Sequence, residues 1–425
     1  MKLFAAKSTL KGRVSIPGSK SHTIRAIAIA SLAEGTSSIQ RPLISSDTMS
    51  AVECYSALSS RIDTKDKKNW IVEGMANLVS VPAEPIDVGN SGTTLRVAAG
   101  SAALCKSSDP IILTGDQQIQ SRPIEPLLQA LRDLGTDAKS LKSNGMAPIS
   151  IRGRLKGGSA TLECITSQYL SSLLLACPLA EKNSTINVTL LNEPDYVQIT
   201  MDWLDKQNIR YENDNFKRIK IYGNQTYKAF DTAIPADFSS ATFFLCAGAI
   251  LDADITLEGL DFSDSQPDKA VVDYLRDMGA DIEVSEKGVR VRKNRLKGIE
   301  IDMNRTPDAL PAMAVTAACA KGTTRLVNVA QARNKETDRI ACMAEELGKI
   351  GIKTEELPDG LIIHGGKITP AKVNGHHDHR IVMALSLAAM AADGQIEIDT
   401  AEAMNVTFPD YVELMCSIGA KMRVE

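Results

Sequence analysis

Apolar positions along the chain fall into two alternating helical patterns, each repeated six times. The first pattern is amphipathic, with one apolar stripe that ends at a glycine or another turn residue and leads into a short alternating segment. Its copies lie at 52–60, 127–135, 201–208, 271–279, 342–351 and 411–419, separated by roughly 70 residues, the signature of an internal repeat. Glycine takes the left-handed cap at a helix end without steric cost, which suits Gly135, Gly279, Gly351 and Gly419. The second pattern is Ala-rich and apolar on every side, at 24–33, 95–103, 170–180, 241–250, 310–320 and 381–392. A helix apolar all round is buried, and small polar or acidic residues (Ser21, Ser91, Ser167, Ser239, Asp308) open most copies as caps suited to helix starts, with His379 opening the last.

These patterns predict an α/β chain of six copies of one unit: strand, buried helix, strand, exposed helix, then further strand. Six units divide three and three into two similar domains. The seams are expected at Pro17-Gly18-Ser19 and Pro235-Ala236-Asp237, giving one domain from 1–17 plus 236–425 and an inserted domain from 18–235. The opening segment, 3–16, must then pair with the last units, so the chain crosses between domains twice.

Composition refines this picture without changing it. A chain of 425 residues exceeds a single compact core, and 44% hydrophobic with 24% charged residues is ordinary for a globular protein. Only 4% of residues are aromatic, so the interior is expected to rest on aliphatic side chains. A formal charge of −4 argues against a nucleic-acid binder. The eight cysteines are scattered with no C-x-x-C pair, which reads as buried thiols in a reducing compartment and not as a disulfide frame or zinc site. With no apolar run long enough to span a bilayer and no apolar leader, a soluble cytoplasmic protein without membrane contact is expected.

The candidate chemistry gathers at the helix mouths. Lys20, Ser21 and Arg25 open the first buried helix; Asn90, Ser91, Gly92, Thr93 and Arg96 open the second; Thr166, Ser167 and Gln168 open the third. Asp308 opens the fifth, and Asp378, His379 and Arg380 open the sixth. Arg122-Pro123 is expected in the first turn of an exposed helix. In Arg333-Asn334-Lys335-Glu336-Thr337-Asp338-Arg339 a helix beginning near Glu336 would put Glu336 and Arg339 on one face. Taken alone this stretch is equally an ordinary solvated helix start with an internal salt bridge. Helix N-termini carry about half a positive charge and free N–H groups, so several aimed at one cleft, with Lys20, Arg25, Arg122, Lys335, Arg339 and Arg380, would suit a heavily charged anion. His376, His377 and His379 form a poor metal-ligand set, so no metal is expected; His22 and His364 read as structural. Tyr196 and Asp47 stand just before exposed helices, where each suits a cap as well as a ligand, with Tyr196 slightly the better ligand candidate.

These motifs together resemble the enolpyruvyltransferase family. The resemblance is carried by Pro17-Gly18-Ser19-Lys20-Ser21 with Arg25, Gly89-Asn90-Ser91-Gly92-Thr93 with Arg96, Leu113-Thr114-Gly115-Asp116 with Arg122-Pro123-Ile124, and Ser167-Gln168. It continues through Pro307-Asp308-Ala309, Lys335-Glu336-Thr337-Asp338-Arg339, Asp378-His379-Arg380 and Thr407-Phe408-Pro409-Asp410-Tyr411. It implies two inside-out α/β barrels hinged around a central cleft, and transfer of the enolpyruvyl group of phosphoenolpyruvate to the 5-hydroxyl of shikimate 3-phosphate. It further implies that Lys20, Ser21, Arg25, Thr166, Ser167, Gln168, Tyr196, Asp308 and Lys335 hold shikimate 3-phosphate. Lys20, Asn90, Gly92, Arg122, Arg339 and Arg380 would hold phosphoenolpyruvate, with His379 a further candidate. Asp308 resembles the base and Glu336 the acid, with Lys20 beside them. The expected enzyme is a monomer that needs no cofactor.

The chain departs from the family pattern at four positions: Val406 where Lys is usual, Thr166 where Ser is usual, Glu193 where Ser is usual and Gln331 where Asn is usual. An enolpyruvyltransferase with another acceptor is the alternative. The branch acting on UDP-N-acetylglucosamine uses a reactive cysteine before the second exposed helix, and Asp116-Gln117-Gln118-Ile119-Gln120-Ser121 contains none. A six-unit ring clamp on DNA would not need Glu336 and Asp308 among its cations.

Overall fold

The computed structural model describes residues 1–76 and 78–425. Among the described residues, twelve α-helices alternate between the two predicted kinds. The buried helices are α1 (Lys20–Leu32), α3 (Gly92–Ala102), α5 (Ser167–Ala176), α7 (Phe238–Ile250), α9 (Leu310–Ala318) and α11 (His379–Ala391). The amphipathic ones are α2 (Ser46–Ala57), α4 (Glu125–Asp133), α6 (Pro194–Lys206), α8 (Val271–Met278), α10 (Arg339–Lys349) and α12 (Tyr411–Ser417). The described strands form six four-stranded sheets, one for each repeat. No helix among the described residues is long and apolar enough to cross a membrane.

One repeat explains the rest. Strand Gly158–Cys164 leads into α5, and Ser184–Leu191 returns parallel to it, since a crossover helix lets the second strand run the same way. After α6, the hairpin Tyr211–Asp214 and Arg218–Ile221 closes the sheet antiparallel to Ser184–Leu191. The sequence predicted one closing strand; the structure has this hairpin, so each sheet is mixed.

The chain forms two compact units, Met1–Pro17 with Pro235–Glu425, and Gly18–Ile234. Each unit is closed by a strand from outside its repeat order. In the Gly18–Ile234 unit, Asp231–Ala233 at its end pairs parallel with Thr36–Gln40 and supplies the strand that precedes α1 in the repeat pattern. In the other unit, Thr9–Ser15 pairs parallel with Asp252–Glu258, and Leu3–Ala6 sits between Ile396–Asp399 and Lys421–Val424. The predicted opening strand is therefore two strands serving two different sheets.

Each unit has its own aliphatic core, in which the buried helices pack side by side. Alanine and glycine permit that approach. Gly100 on α3 meets α5 so closely that a Cβ there would lie 2.6 Å from Ser172 Oγ and 2.7 Å from its carbonyl oxygen. Ser172 Oγ also donates to the Arg96 carbonyl at 2.5 Å, which pins the crossing. Gly100→Ala should therefore destabilise the protein by about 1–3 kcal/mol despite alanine's better helix propensity, because a backbone carbonyl oxygen is among the obstructing atoms and cannot rotate away as the hydroxyl can. Thermal unfolding checks this, and an unchanged or raised midpoint would mean that the two helices separate easily.

The cysteines depart in part from expectation. Five are buried, but Cys319 and Cys342 are half-buried and Cys416 is exposed. In Cys416 the amphipathic α12 turns a polar-face position to solvent.

Candidate active site

In the Gly18–Ile234 unit, the N-terminal turns of α1, α3 and α5 are tied to one another. Ser19 caps α1, Ser91 caps α3, and Thr166 caps α5 by accepting from the Gln168 N–H. Gln168 Nε2 donates to Thr93 Oγ1 at 3.2 Å, joining α5 to α3, and Gln168 Oε1 is buried with no hydrogen-bond partner. Arg25 joins α1 to α5 and α6: it donates to Thr200 Oγ1 at 2.8 Å, Ser171 Oγ at 3.3 Å, the Tyr196 carbonyl at 3.0 Å and the Ser21 carbonyl at 2.9 Å.

All four acceptors of Arg25 are neutral, and the residue is only 3% exposed. Burial lowers its pKa to about 10, so it remains a cation at neutral pH. A buried cation whose hydrogen bonds go to neutral oxygens leaves charge for an anion to neutralise. Nearby, Gly92 lies between two guanidinium groups: a Cβ there would come within 2.6 Å of Arg122 Nη1 and 2.8 Å of Arg96 Nη1. A side chain there would have to push these guanidinium groups aside. Lys20 Nζ bonds Asp47 Oδ2 at 2.9 Å, which makes Asp47 a buried partner of the lysine. Asn90 donates to Asp116 Oδ2 at 2.7 Å and to Gln118 Oε1, so it braces the loop before α4.

Three local expectations are corrected here. Asp47 and Tyr196 stand in the first turns of α2 and α6, not ahead of them, because Ser45 and Glu193 take the cap positions. Pro123 precedes α4, whose first turn contains Pro126 instead. Glu193 has a left-handed backbone (φ 58°, ψ 50°) and is buried. Its Oε2 accepts from Ser167 Oγ at 2.7 Å and Ser167 N–H at 3.2 Å, placing a carboxylate on the first turn of α5.

The other unit carries a second charged set. Helix α10 starts at Arg339, three residues later than expected, because Asp338 is its cap and accepts from the Ala341 N–H at 3.0 Å. Lys335 and Glu336 consequently lie in the connection that follows the 3-10 turn Ala330–Asn334. Arg339 is 1% exposed and is the hub of this set. It reaches Asp378 at 2.7 Å, Asp308 at 2.7 Å and Glu336 at 2.5 Å. Arg380 stands 3.4 Å from Asp308 Oδ2, donates to the Asp308 carbonyl at 3.1 Å and to Ser239 Oγ at 2.7 Å, while Lys335 Nζ is 3.7 Å from Asp308.

Asp378 is the group that sequence reasoning underweighted. It is wholly buried, caps α11 through the Arg380 N–H at 2.8 Å, and holds Arg339 with its second function. The sequence signal for it is an acidic residue directly before a buried helix. His379 beside it is buried; desolvation lowers its pKa to about 3, so the ring is neutral, and its Nε2 has no hydrogen-bond partner. Gln331 is buried and donates to the Asn304 carbonyl at 2.9 Å, a brace on the loop before Asp308.

His376 meets Glu346 Oε1 at 2.7 Å, and Lys349 Nζ reaches the same oxygen at 2.8 Å. Glu345, Glu346 and His376 form the one group of three or more His, Cys or acidic side chains among the described residues close enough to share an ion, and Lys349 already answers their charge. His22 Nδ1 accepts from Trp203 Nε1 at 3.1 Å, a core contact.

Repeated α/β units with cations, neutral donors and a few carboxylates at the mouths of buried helices are an arrangement suited to small anions, and the Asp308–Glu336–Arg339 set adds carboxyl groups. Comparisons narrow this class. Residues 4–415 match the family model for EPSP synthase (3-phosphoshikimate 1-carboxyvinyltransferase). The chain is 50% identical over 424 residues to the 3-phosphoshikimate 1-carboxyvinyltransferase of Ruminiclostridium cellulolyticum, covering 100% of both chains. It is 50% identical over 420 residues to that of Acetivibrio thermocellus, covering 99% of each. A solved EPSP synthase from Acinetobacter baumannii superposes with a TM-score of 0.83 at 27% identity over the full length of both chains. The chain belongs to the EPSP synthase family.

Proposed function

We propose that the chain transfers the enolpyruvyl group of phosphoenolpyruvate to the 5-hydroxyl of shikimate 3-phosphate, releasing phosphate. The observation that carries the acceptor is Arg25, a buried cation bonded only to neutral oxygens beside Ser21, Tyr196 and α5. Arg25, Lys20, Ser21, Thr166, Ser167, Gln168, Tyr196, Asp308 and Lys335 bind shikimate 3-phosphate. Lys20, Asn90, Gly92, Arg122, Arg339 and Arg380, with His379, bind phosphoenolpyruvate.

Protons move as follows. The Glu336 carboxyl protonates C3 of phosphoenolpyruvate, leaving cationic character at C2. The 5-hydroxyl oxygen attacks C2, and its proton passes to Asp308. The tetrahedral adduct then loses a C3 proton to the Glu336 carboxylate as the C2–O bond to phosphate breaks, and the cations stabilise the departing anion. Arg339 holds Asp308 most closely at 2.7 Å, with Arg380 and Lys335 at longer ion-pair distance, so a substrate anion that competes for these cations makes the carboxylate a better proton acceptor. The enzyme works as a monomer in the cytoplasm.

Phosphate release from phosphoenolpyruvate in the presence of shikimate 3-phosphate, with mass-spectrometric detection of the enol ether, tests this reading. No turnover with that acceptor, and turnover with another hydroxyl compound, would reassign the acceptor.

Glu193 offers a sharper probe. Its carboxylate accepts from the same Ser167 groups that a substrate phosphate would use. Two anions about 6 Å apart repel by about 3 kcal/mol at the effective dielectric constant of about 20 typical of protein sites. Glu193→Gln keeps an acceptor and removes the charge, so shikimate 3-phosphate should bind at least about tenfold more tightly, as read by calorimetry. Weaker binding would mean that Glu193 positions Ser167 for the substrate and that repulsion is unimportant.

A further inference from the structure

In the unit formed by Met1–Pro17 and Pro235–Glu425, a cavity of about 560 Å³ opens at the C-terminal ends of α7, α9 and α11. Asp308 and Arg380 stand at the opposite ends of α9 and α11, about 14–20 Å away along the helix axes at 1.5 Å per residue. Its floor is apolar: Ala249, Ile250, Leu296, Ile368 and Ala391, with the Cys319 thiol. Burial, its main influence, pushes that thiol up to about 12, so it contributes no charge.

The rim is cationic. Lys293, Arg295, Lys297, Lys321 and Lys367 line it against the single carboxylate of Asp393. Asp393 is already engaged, with Lys7 at 2.7 Å and Lys367 at 3.8 Å. The side chains of Lys293, Arg295, Lys297 and Lys321 make no hydrogen bond or ion pair with any described residue. A smaller hollow of about 460 Å³ shares Lys293, Ile250 and Ala391 and adds Lys7, Lys421 and the carboxylate of Asp252.

A simpler role for these cations is to offset the helix C-termini. Three such ends bring about half a negative charge each, which does not balance the rim. A positive rim over a low-dielectric floor focuses its field into the hollow. The wall is also preformed: the Lys321 N–H donates to the Leu296 carbonyl at 2.9 Å, Lys297 to Met278 at 2.9 Å, and Gly366 to Ala318 at 3.0 Å. A fixed cavity of this volume, with an apolar floor and convergent charge, has the form of a small-molecule site.

We propose that this cavity is a second anion site, distinct from the catalytic residues, that takes a nucleoside di- or triphosphate. The phosphates lie against Lys293, Arg295, Lys297 and Lys321, and the base covers Leu296, Ile368 and Ala391. Four cations without carboxylate partners match a triphosphate's charge, and the apolar floor favours a nucleotide over a bare phosphate chain.

The test uses the full chain at about 0.15 M salt, where loose surface attraction is screened. ATP and inorganic tripolyphosphate are titrated by calorimetry, with and without saturating shikimate 3-phosphate. ATP should bind in both conditions and more tightly than tripolyphosphate. The double variant Lys293→Ala with Lys321→Ala should weaken ATP binding at least about tenfold, the effect of losing one charge-assisted hydrogen bond or more, and keep wild-type turnover. ATP binding lost on adding shikimate 3-phosphate, or unchanged in the double variant, would place ATP at the catalytic residues and overturn the proposal. Absence of binding at millimolar ATP would overturn it too, and equal affinity for tripolyphosphate would overturn the nucleotide assignment.

Discussion

Glu336→Gln should lower turnover by about 10²–10⁴-fold, the range for losing a positioned proton donor, while both substrates still bind within a few-fold of the wild-type affinity. The amide keeps the shape of the carboxyl group and retains an oxygen to accept from Arg339 Nη2, now 2.5 Å from Glu336 Oε2. In the proposed mechanism what it loses is the proton for C3 of phosphoenolpyruvate and the base that later removes one. Glu336 is suited to both tasks because it lies outside α10, on the connection before the helix, with a side chain only 11% exposed. A helical Glu336 would have been fixed by its own turn. Steady-state kinetics with separate equilibrium binding decides the matter. Turnover close to wild type would remove Glu336 from the chemistry, and a matching loss of affinity would make it a binding group.

Much of this architecture was legible in the sequence because burial writes two different periods. The six Ala-rich segments are apolar all round, and α7 is buried at every position from Phe238 to Ile250, so no amphipathic stripe had to be recognised. The exposed helices announced their ends through glycine, as at Gly279, where the left-handed cap (φ 104°) is observed. What escaped was set by partners distant in sequence. That Leu3–Ala6 and Thr9–Ser15 join different sheets depends on strands nearly 400 and 250 residues away. The start of α10 was misplaced because Lys335 and Glu336 have good helix propensity, whereas Asp338 capping Ala341 decides the boundary locally. In the charged sets, residue types were readable and pairings were not. Lys20 and Asp47 are 27 positions apart and Arg339 and Asp378 are 39, and only the folded repeat brings them to bonding distance.

Arg339→Met should destabilise the protein by about 3–5 kcal/mol, the cost of removing one partner from a buried ionic cluster. Methionine fills much of the volume, so the loss is electrostatic. It leaves Asp378, with no exposed side-chain surface, and Glu336 without their shared cation, and takes from Asp308 its closest one. For a unit of this size the midpoint of thermal unfolding should fall by roughly 6–20 °C. Lysine cannot stand in, because a single ammonium cannot span Asp308, Glu336 and Asp378 as the planar guanidinium does, so Arg339→Lys should recover only a minor part. Asp378→Asn provides the control. Asparagine still caps α11 and carries no charge, so combined with Arg339→Met it should restore stability, whereas in the wild-type background it should cost stability by weakening the hold on Arg339. Such a reversal of sign separates charge from packing. If Asp378→Asn destabilises both backgrounds alike, Arg339 acts by filling space, and the carboxylates it joins are held by other contacts.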